Sequence, residues 1–374
     1  MQFKVSSTAL SSRLAAASKV LAAKNSLPIL ECFLFEVGDG NITVTASDAE
    51  KSFITSIPTI EQTGSARFCV SARQMMDSMR EMPEQPLTLN VNEETYEISG
   101  VHATGTFSIM GQSAEAYPIP RPVGNEYTRV VMQSSTILSG LSRTLFATAN
   151  DEVRRVMNGV YLDISNDNIV FAATDGRKLV KDLMKGVGTG VEGGFIIPKK
   201  VATILRGALT MGDTEVEIRY AKDRATISTP DMTMHFTLIE GNYPNYNAVI
   251  PQNNPFRAVI DRQALLSALK RVLVFCNQAS GLVKVELSEG SVRLTGQDHA
   301  YNTNCEEQLP CDYSGNHMAI GFSCQFMLEI CSVLESDNIV IELADPARPG
   351  VIKPDVQPEA EEVLMLLMPM RVDD

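Results

Sequence analysis

Hydrophobic and polar positions recur along the chain in one pattern that occurs three times. Each copy has a short extended run, then polar residues typical of a helix N-cap, then an amphipathic helix. The copies are FKVSSTALSSRL from Phe3, VVMQSSTILSGL from Val130 and AVIDRQALLSAL from Ala258. In the first copy Leu10 and Leu14 fall on one helical face. The pattern therefore predicts a strand followed by a helix at three places.

A second recurring block predicts a hairpin that ends in an aspartate. Its copies are LPILECFLFEVGDGNITVTASDAE, RRVMNGVYLDISNDNIVFAATDGRK and SGLVKVELSEGSVRLTGQDHA, which carry Asp48, Asp175 and Asp298. The GDG and NDN centres are typical of tight turns between strands rich in Val, Ile and Thr. The aspartates could be imagined as a carboxylate cluster, but each occurs once per copy. We therefore expect each one to cap a local turn.

A third block predicts another strand followed by a helix, and it completes the repeat. Its copies are FCVSARQMMDSMREM from Phe68, FIIPKKVATILRGAL from Phe195 and IGFSCQFMLEICSVL from Ile320. The three blocks keep their order with a period of about 125 residues, which indicates duplicated domains. Each domain is predicted to be α+β, with two helices packed on antiparallel sheets.

Proline-rich segments separate the copies and suggest the domain limits. They are YPIPRPVGNEYT from Tyr117 and GNYPNYNAVIPQNNPF from Gly241, and proline favours extended, semi-rigid linkers. We expect domains at 1–120, 128–246 and 255–374. The glycine-rich segment GVGTGVEGG from Gly186 is expected to be a flexible hairpin loop, and DPARPGVIKPDVQPEAEE from Asp345 a mobile loop.

Charge is distributed unevenly along the chain. The net charge is -13, which at first argues against a nucleic-acid partner. The helices predicted at 7–24, 71–82, 135–149, 198–210, 261–276 and 322–335 nevertheless carry a net positive charge together. A basic helical surface would suit a phosphate backbone without reading bases. Contacts of that kind have a Kd of about 10⁻⁴–10⁻⁶ M, so by themselves they would not keep a protein on DNA for long.

Motifs for catalysis, metal binding and membrane insertion are missing from the sequence. The four histidines lack metal-ligand spacing, and there is neither a GxSxG nucleophile motif nor a phosphate loop. None of the seven cysteines forms a CxxC pair, which is typical of reduced thiols in the cytoplasm. The N-terminus has no continuous apolar stretch of the kind found in a signal peptide. We expect a cytoplasmic protein without cofactor or catalytic residue, although an enzyme with an unrecognised site stays open.

Short motifs on this triple repeat closely resemble the family of bacterial DNA sliding clamps, the beta subunits of DNA polymerase III. They are LPIL from Leu27, MNG from Met157, ATDGRKL from Ala173, YPNY from Tyr243 and MPMR from Met368. The resemblance implies a non-catalytic processivity factor that closes as a head-to-tail homodimer, a six-domain ring with helices around the hole. Implied partners are double-stranded DNA without sequence preference, DNA polymerase subunits, the clamp loader, and mismatch-repair and translesion proteins that bind through short linear motifs.

The resemblance also implies three groups of site residues. The peptide-binding cleft would comprise Met157, Thr174, Gly176, Arg177, Lys178, Leu179, Pro244, Val249, Leu366, Met368, Pro369, Met370 and Arg371. DNA would contact Lys24, Arg73, Arg154, Arg155 and Lys199. The dimer would form through an exposed apolar pair on each side, Phe107 and Ile109 against Val274 and Phe275.

Several points stay open at the level of sequence. The segment VLMLLM from Val363 fits either the cleft or a core strand. Arg155 and Val156 stand where the best-known member of the family has aromatic residues, so a contact by charge is expected to replace stacking. The chain continues to Asp373 and Asp374 beyond the usual end of the family. A scaffold of three repeated domains that binds only peptides is the alternative function.

Overall fold

A computed structural model describes residues 1–22, 24, 25 and 27–372. The first repeat contains helices α1 (Ser7–Ser18) and α2 (Ala72–Arg80). Its strands are β1 (Gln2–Ser6), β2 (Cys32–Gly38), β3 (Asn41–Ser47), β4 (Lys51–Pro58), β5 (Glu61–Thr63), β6 (Ala66–Ser71), β7 (Pro86–Val91), β8 (Glu97–His102) and β9 (Gly105–Ser113). A 3-10 turn at Pro28–Glu31 precedes β2.

The second repeat follows the same order, with helices α3 (Ser134–Thr144) and α4 (Lys199–Ala208). Its strands are β10 (Thr128–Gln133), β11 (Gly159–Ile164), β12 (Ile169–Thr174), β13 (Lys178–Met184), β14 (Gly193–Pro198), β15 (Glu215–Tyr220), β16 (Arg224–Thr229) and β17 (Met232–Thr237). Three 3-10 turns accompany them, at Leu145–Ala147, Arg155–Met157 and, after β17, Tyr246–Val249.

The third repeat contains helices α5 (Arg262–Leu273) and α6 (Cys324–Val333). Its strands are β18 (Phe256–Asp261), β19 (Leu282–Ser288), β20 (Ser291–Asp298), β21 (Thr303–Pro310), β22 (Met318–Ser323), β23 (Asn338–Leu343), β24 (Gly350–Pro354) and β25 (Glu361–Leu367). All three repeats thus share one order of elements, apart from the short β5, and the predicted α+β triplication is confirmed.

The N-cap prediction made for the first recurring block is confirmed at α1 and α5, and α2 and α6 are capped in the same way. The side chains of Ser6, Ser71, Asp261 and Ser323 each accept a hydrogen bond from a backbone N–H in the first turn of α1, α2, α5 and α6. The predicted end of the first helix is wrong, because α1 stops at Ser18 rather than residue 24. The backbone there tightens into bonds between residues three apart, which carry Val20 into the core.

Each recurring aspartate caps a turn, as predicted. Oδ1 of Asp48 accepts bonds from the N–H groups of Glu50 and Lys51. Oδ1 of Asp298 accepts from Ala300 in the same way. The GDG prediction is also confirmed, since residues 39 and 40 both have positive φ in the tight turn between β2 and β3.

The chain divides into two compact units, and elements of the second repeat lie in both. The first unit comprises Met1–Ser135 and Thr203–Leu238. It holds one antiparallel sheet in the order β10-β15-β16-β17-β4-β3-β2-β6-β9-β8-β7-β1-β5. Strand β17 pairs with β4 there, with His235 opposite Ser52. The last strand of the second repeat therefore extends the sheet of the first.

The second unit comprises Thr136–Ala202 and Ile239–Asp374. It holds an eight-stranded sheet in the order β14-β11-β12-β13-β25-β24-β23-β18 and a four-stranded sheet in the order β21-β20-β19-β22. Strand β25 pairs with β13, with Leu366 opposite Leu179. This is the same junction as β17 with β4, one repeat later.

Two loop predictions are wrong. The segment expected to be mobile from Asp345 contains β24, which pairs with both β23 and β25. The segment from Gly186 is not a hairpin loop, because β13 and β14 are separated by β11 and β12 in the sheet. It crosses the turn between β11 and β12, where the N–H of Val187 donates to the carbonyl of Asp167.

The chemistry expected from the sequence can be compared with the described residues. All seven cysteines are free thiols, and six of them are buried. No group of three or more His, Cys, Asp or Glu side chains in the described part of the chain could hold a metal ion. Among residues 1–22, 24, 25 and 27–372, no helix is both long enough and apolar enough to cross a bilayer.

Candidate functional site

A tight turn between β12 and β13, which we call the cleft turn (residues 174–179), is the centre of the predicted cleft. Oγ1 of Thr174 donates to the carbonyl of Lys178 at 2.7 Å and accepts from the N–H of Gly176 at 3.0 Å. Oδ1 of Asp175 accepts from the N–H groups of Arg177 and Lys178 at 2.8 and 2.9 Å. These bonds fix the backbone of the turn and leave the side chain of Arg177 exposed.

Gly176 allows the cleft turn to meet a neighbouring loop. Its φ is +86°, which favours glycine, and a Cβ at this position would lie 2.8 Å from Nη1 of Arg154. The Nη2 group of Arg154 donates to the carbonyl of Asp175 at 3.4 Å, while its Nε binds Asp151. The loop that precedes the MNG motif therefore borders the cleft turn.

Lys178 is buried beneath the cleft turn, with 6% of its surface exposed. Its Nζ lies 3.3 Å from Oδ2 of Asp175 and 3.4 Å from Oε2 of Glu329. It also lies 3.6 Å from the centroid of the Phe326 ring. One ammonium group thus joins the turn to α6, with two carboxylates to balance its charge.

The C-terminal segment Met368–Arg371 lies between the cleft turn and β22. The N–H of Met368 donates to the carbonyl of Arg177 at 2.8 Å, and the N–H of Met370 donates to the carbonyl of Gly321 at 2.7 Å. A cavity of about 560 Å³ borders Pro369, Met370 and Arg371. Met368 is 41% exposed and Met370 is half-buried, so adaptable methionine side chains are available at this surface.

The floor of the cleft is a packed apolar cluster. Leu179 and Leu366 face each other across β13 and β25, and each is 2% exposed. They pack with Tyr246, whose hydroxyl donates to Asp163. The hydroxyl of Tyr243 accepts a bond from the N–H of Thr174 at 3.0 Å. The VLMLLM segment is therefore mainly a core strand beneath the predicted cleft, since all but its last residue lie in β25, whereas Met368 at its end is exposed.

The remaining predicted cleft residues lie around this floor. Pro244 is half-buried beside Tyr243, and Val249 is 56% exposed at the end of a 3-10 turn. Met157 is half-buried at the end of another 3-10 turn, and its neighbour Val156 lies against Gly241. The second unit therefore places the cleft turn, the Tyr243–Val249 segment and the C-terminal segment together.

Three comparisons with known proteins address the whole chain. Models of the DNA polymerase III beta subunit match its N-terminal domain at residues 1–120, its central domain at 132–245 and its C-terminal domain at 247–371. The chain belongs to the DNA polymerase III beta subunit family, the bacterial sliding clamps. It is a processivity factor and not an enzyme, and clamps of this family encircle DNA as homodimers and bind partner peptides.

Individual clamps resemble the chain over its full length. The beta sliding clamp of Chlamydia muridarum is 26% identical, and that of Pseudomonas putida is 24% identical, each with complete coverage of both chains. The crystal structure of the beta subunit from Thermotoga maritima is 26% identical, with a TM-score of 0.89 and complete coverage of both chains. A clamp from Bartonella birtlesii, solved bound to griselimycin, is also 26% identical, with a TM-score of 0.90 and complete coverage.

The predicted DNA-contacting residues of the clamp are distributed over both compact units. In the first unit Lys24 is exposed beyond the end of α1, and Arg73 is exposed on α2 with Asp77 at 3.8 Å. In the second unit Arg154 and Arg155 are exposed next to the cleft turn, and Lys199 begins α4. The shorter α1 means that Lys24 contributes to a loop rather than to a basic helix.

The predicted dimer residues differ in exposure. Val274 and Phe275 follow α5 and are 77% and 36% exposed, which agrees with an apolar contact surface. Ile109 is only 7% exposed, so the expectation of an exposed pair is wrong there, because it packs across the sheet from Ile98. Phe107 is half-buried, with its ring in the space beside the backbone of Gly100.

Sequence reasoning missed the residues that support these surfaces. Glu329 and Phe326 lie far from the ATDGRKL motif in sequence, and no local pattern links them to Lys178. Asp182 is fully buried in β13 with Nη1 of Arg143 at 3.3 Å, and Arg143 also binds Glu361 of β25. The one available signal was Asp182 itself, because an aspartate at an inward-facing position of a strand needs a cationic or hydrogen-bonding partner.

Proposed function

We propose that this clamp holds partner peptides in the cleft formed by the cleft turn, the Tyr243–Val249 segment and the C-terminal segment. The observation that carries the proposal is the bond from the N–H of Met368 to the carbonyl of Arg177, which joins two of these three parts. Apolar and methionine side chains surround the site, as expected of a surface that accepts several partners. The proposed cleft comprises Met157, Thr174, Gly176, Arg177, Lys178, Leu179, Pro244, Val249, Leu366, Met368, Pro369, Met370 and Arg371. Of these, Lys178, Leu179 and Leu366 are buried and support the surface that the peptide would contact.

We infer that the dimer closes by strand pairing between two chains. Within the chain, the last strand of one repeat pairs with the fourth strand of the repeat before it. Strand β17 pairs with β4 in this way, and β25 pairs with β13. In the described residues the Gly105–Met110 part of β9 pairs only with β8, and β21 pairs only with β20. Pairing of β9 with β21 of a second chain would repeat the same junction and close a six-domain ring.

The repeat also supports a register for this pairing. Met234 of β17 lies opposite Phe53, and Met365 of β25 lies opposite Val180. The equivalent position in β9 is Phe107, which pairs with Gly100 as Met234 pairs with Ile227. The equivalent position in β21 is Cys305, which pairs with Gly296 as Phe53 pairs with Ala46. Phe107 and Ile109 of one chain would then approach Val274 and Phe275 of the other.

Charge does not oppose this interface. Strand β9 contains no charged side chain. The acidic residues of β21 are neutralised within their own chain, since Arg271 binds Glu307 through two bonds of 2.7 Å and Arg293 lies 3.4 Å from Glu306. Backbone pairing and apolar contact are therefore the proposed sources of dimer stability.

DNA is proposed to contact Lys24, Arg73, Arg154, Arg155 and Lys199 through its phosphates. Of the six helices in the described part of the chain, five carry more basic than acidic residues, and α6 is the exception. Such contacts are weak and independent of sequence, so the DNA can slide. We further propose domains at 1–120, 128–246 and 255–374, and a cytoplasmic location, which the seven free thiols support.

Retention on circular DNA tests the encirclement by this chain. The clamp is loaded onto nicked circular DNA by a clamp loader with ATP, isolated by gel filtration in high salt, and rerun after the DNA is cut. We expect protein on circles and none on linear DNA, because weak contacts alone do not survive salt. Equal retention on both forms, or loss from circles in salt, would instead favour the peptide-binding scaffold.

A further inference from the structure

The first repeat contains a turn built like the cleft turn, which we call the first-repeat turn (residues 47–52). Oγ of Ser47 donates to the carbonyl of Lys51 at 3.1 Å and accepts from the N–H of Ala49 at 3.2 Å, as Thr174 does in the second repeat. Asp48 forms an ion pair with Lys51, as Asp175 does with Lys178. Two turns in one chain therefore share one hydrogen-bonding plan.

The surroundings of the first-repeat turn are repeated as well. The N–H of Thr237 donates to the carbonyl of Glu50 at 3.3 Å, in the place of the bond from Met368 to Arg177. Tyr117 is buried against this turn, where its hydroxyl reaches the carbonyl of Thr45. Pro118 follows Tyr117 as Pro244 follows Tyr243. The same three structural parts as in the cleft thus converge here, all inside the first compact unit.

A cavity of about 280 Å³ lies where these parts meet. Its rim is apolar, with Leu27 and Ile119 exposed to 46% and 82%, and with Pro118 and Pro120 beside them. The volume is just below the roughly 300–1,000 Å³ usual for ligand pockets. It has room for one or two side chains and not for a folded partner.

The floor of this cavity differs from the floor of the cleft in two residues that face each other. Ser52 occupies the position of Leu179, opposite His235 as Leu179 is opposite Leu366. Ser52 is 3% exposed and lines the cavity, yet its Oγ has no hydrogen-bond partner among the described residues. A buried hydroxyl without a partner costs free energy that a ligand oxygen would recover.

Two guanidinium groups at the cavity, those of Arg121 and Arg224, can donate hydrogen bonds to an anionic group. Arg121 is exposed at the rim, and Arg224 is partly buried with Asp223 at 3.7 Å. The charge of Lys51 is balanced by Asp48, and Glu50 is the remaining acid at the cavity. His235 lines the wall with Nδ1 2.8 Å from Oγ1 of Thr226, and burial lowers the pKa of its imidazole.

We propose that this cavity is a second, smaller peptide site, for a short segment with an apolar side chain next to a carboxylate. The apolar side chain lies between Leu27 and Ile119, and the carboxylate accepts bonds from the Ser52 hydroxyl and the Arg224 guanidinium. The proposal rests on the peptide-binding function proposed for the cleft, whose construction the cavity repeats.

Methyl NMR on the full-length dimer can test the two sites separately. The chain is labelled at isoleucine and methionine methyl groups, so that Ile119 reports the cavity and Met368 reports the cleft. The probe is the tripeptide acetyl-Ser-Leu-Leu with a free carboxylate, compared with its C-terminal amide. We expect a saturable shift of the Ile119 methyl with the carboxylate peptide and at least about tenfold weaker binding of the amide.

Substitutions then identify the groups that bind the carboxylate. We expect Arg224→Gln to weaken binding at Ile119 about tenfold, and Ser52→Ala to weaken it several-fold. Arg219→Gln is the matched control. Arg219 lies on β15, the strand next to the one that holds Arg224, where it pairs with Glu217 of its own strand and does not line the cavity. The Met368→Ala variant should keep the Ile119 response unchanged.

Two results would overturn the proposal. One is an Ile119 methyl that does not move at millimolar peptide. The other is a shift that is equal for acid and amide and equal in Arg224→Gln and Ser52→Ala. If only the peptide-binding function proposed for the cleft is wrong, the result differs, because the Met368 methyl signal would not shift while the Ile119 methyl signal does.

Discussion

Nζ of Lys178 lies 3.6 Å from the centroid of the Phe326 ring, so a strand of the second repeat is joined to a helix of the third by a buried cation. The carboxylate of Glu329, one turn further along α6, is 3.4 Å from the same nitrogen. Glu329 Oε2 is buried and has no hydrogen-bond partner in the described part of the chain. Lys178 is therefore the cation that compensates it, and the cleft turn depends on this arrangement for its position.

Lys178→Met should lower the free energy of unfolding by roughly 2–3 kcal/mol. Loss of the ammonium leaves two poorly hydrated carboxylates uncompensated, and their partial exposure keeps the cost below the ~3–5 kcal/mol of a fully buried pair. Urea denaturation measures the change. The control is Lys185→Met, whose surface pair with Glu362 should be worth no more than about 0.5 kcal/mol. Equal effects of the two substitutions would contradict the structural role of Lys178.

Asp182 should make stability depend on pH. Burial raises its pKa from 3.8 to about 6, and the nearby Arg143 only partly opposes this. A carboxyl whose folded pKa is raised contributes stability that is fully present below its unfolded pKa and is lost as the pH rises through the folded pKa. Relative to Asp182→Asn, the native chain should therefore gain stability as the pH falls from about 7 to about 4.

Urea midpoints at several pH values between 7.5 and 4 test this expectation. The exposed Asp213→Asn variant corrects for carboxylates elsewhere in the chain. A difference between native and Asp182→Asn that is constant across this range would show that Asp182 ionises as it does in water. A difference that runs in the opposite direction would show that Arg143 outweighs burial and lowers the pKa of Asp182.

Removal of residues 368–374 should abolish peptide binding and leave the dimer intact. The truncation deletes the bonds from Met368 to Arg177 and from Met370 to Gly321, and with them one wall of the cleft. The strands proposed for the dimer, β9 and β21, are untouched. Fluorescence anisotropy with a labelled C-terminal peptide of the polymerase subunit, together with sedimentation, separates the two properties. Unchanged peptide affinity would refute the cleft assignment.

Much of the fold could be predicted because the repeat makes the same local signals occur three times. Caps such as Ser6 and turns such as Asp48 act within a few residues, so their sequence is enough to place them. Contacts made across long sequence separations could not be predicted. The pairing of β25 with β13, which turns VLMLLM into a core strand, and the ion pair of Lys178 with Glu329 both depend on how repeats join.

The ends of elements were also hidden from the sequence. The polar, alanine-rich residues after Ser18 suit a helix, but the burial of Val20 in the core decides where α1 ends. The burial of Ile109 was hidden for a similar reason. Strand alternation predicts the side of the sheet on which Ile109 lies, but it does not predict that Ile98 of the neighbouring strand covers it.

Phe107→Cys should cross-link the clamp dimer through Cys305 of the second chain. The register derived from β17 with β4 and β25 with β13 places these positions opposite each other, and Cys305 is the one half-buried thiol among the seven. Mild oxidation should give a covalent dimer on a non-reducing gel, and oxidation after loading should retain it on circular DNA in high salt. Phe107→Cys combined with Cys305→Ser is the control and should stay monomeric in denaturant. A cross-link in that control, or none in Phe107→Cys although sedimentation shows a dimer, would mean that β9 and β21 pair in another register or not at all.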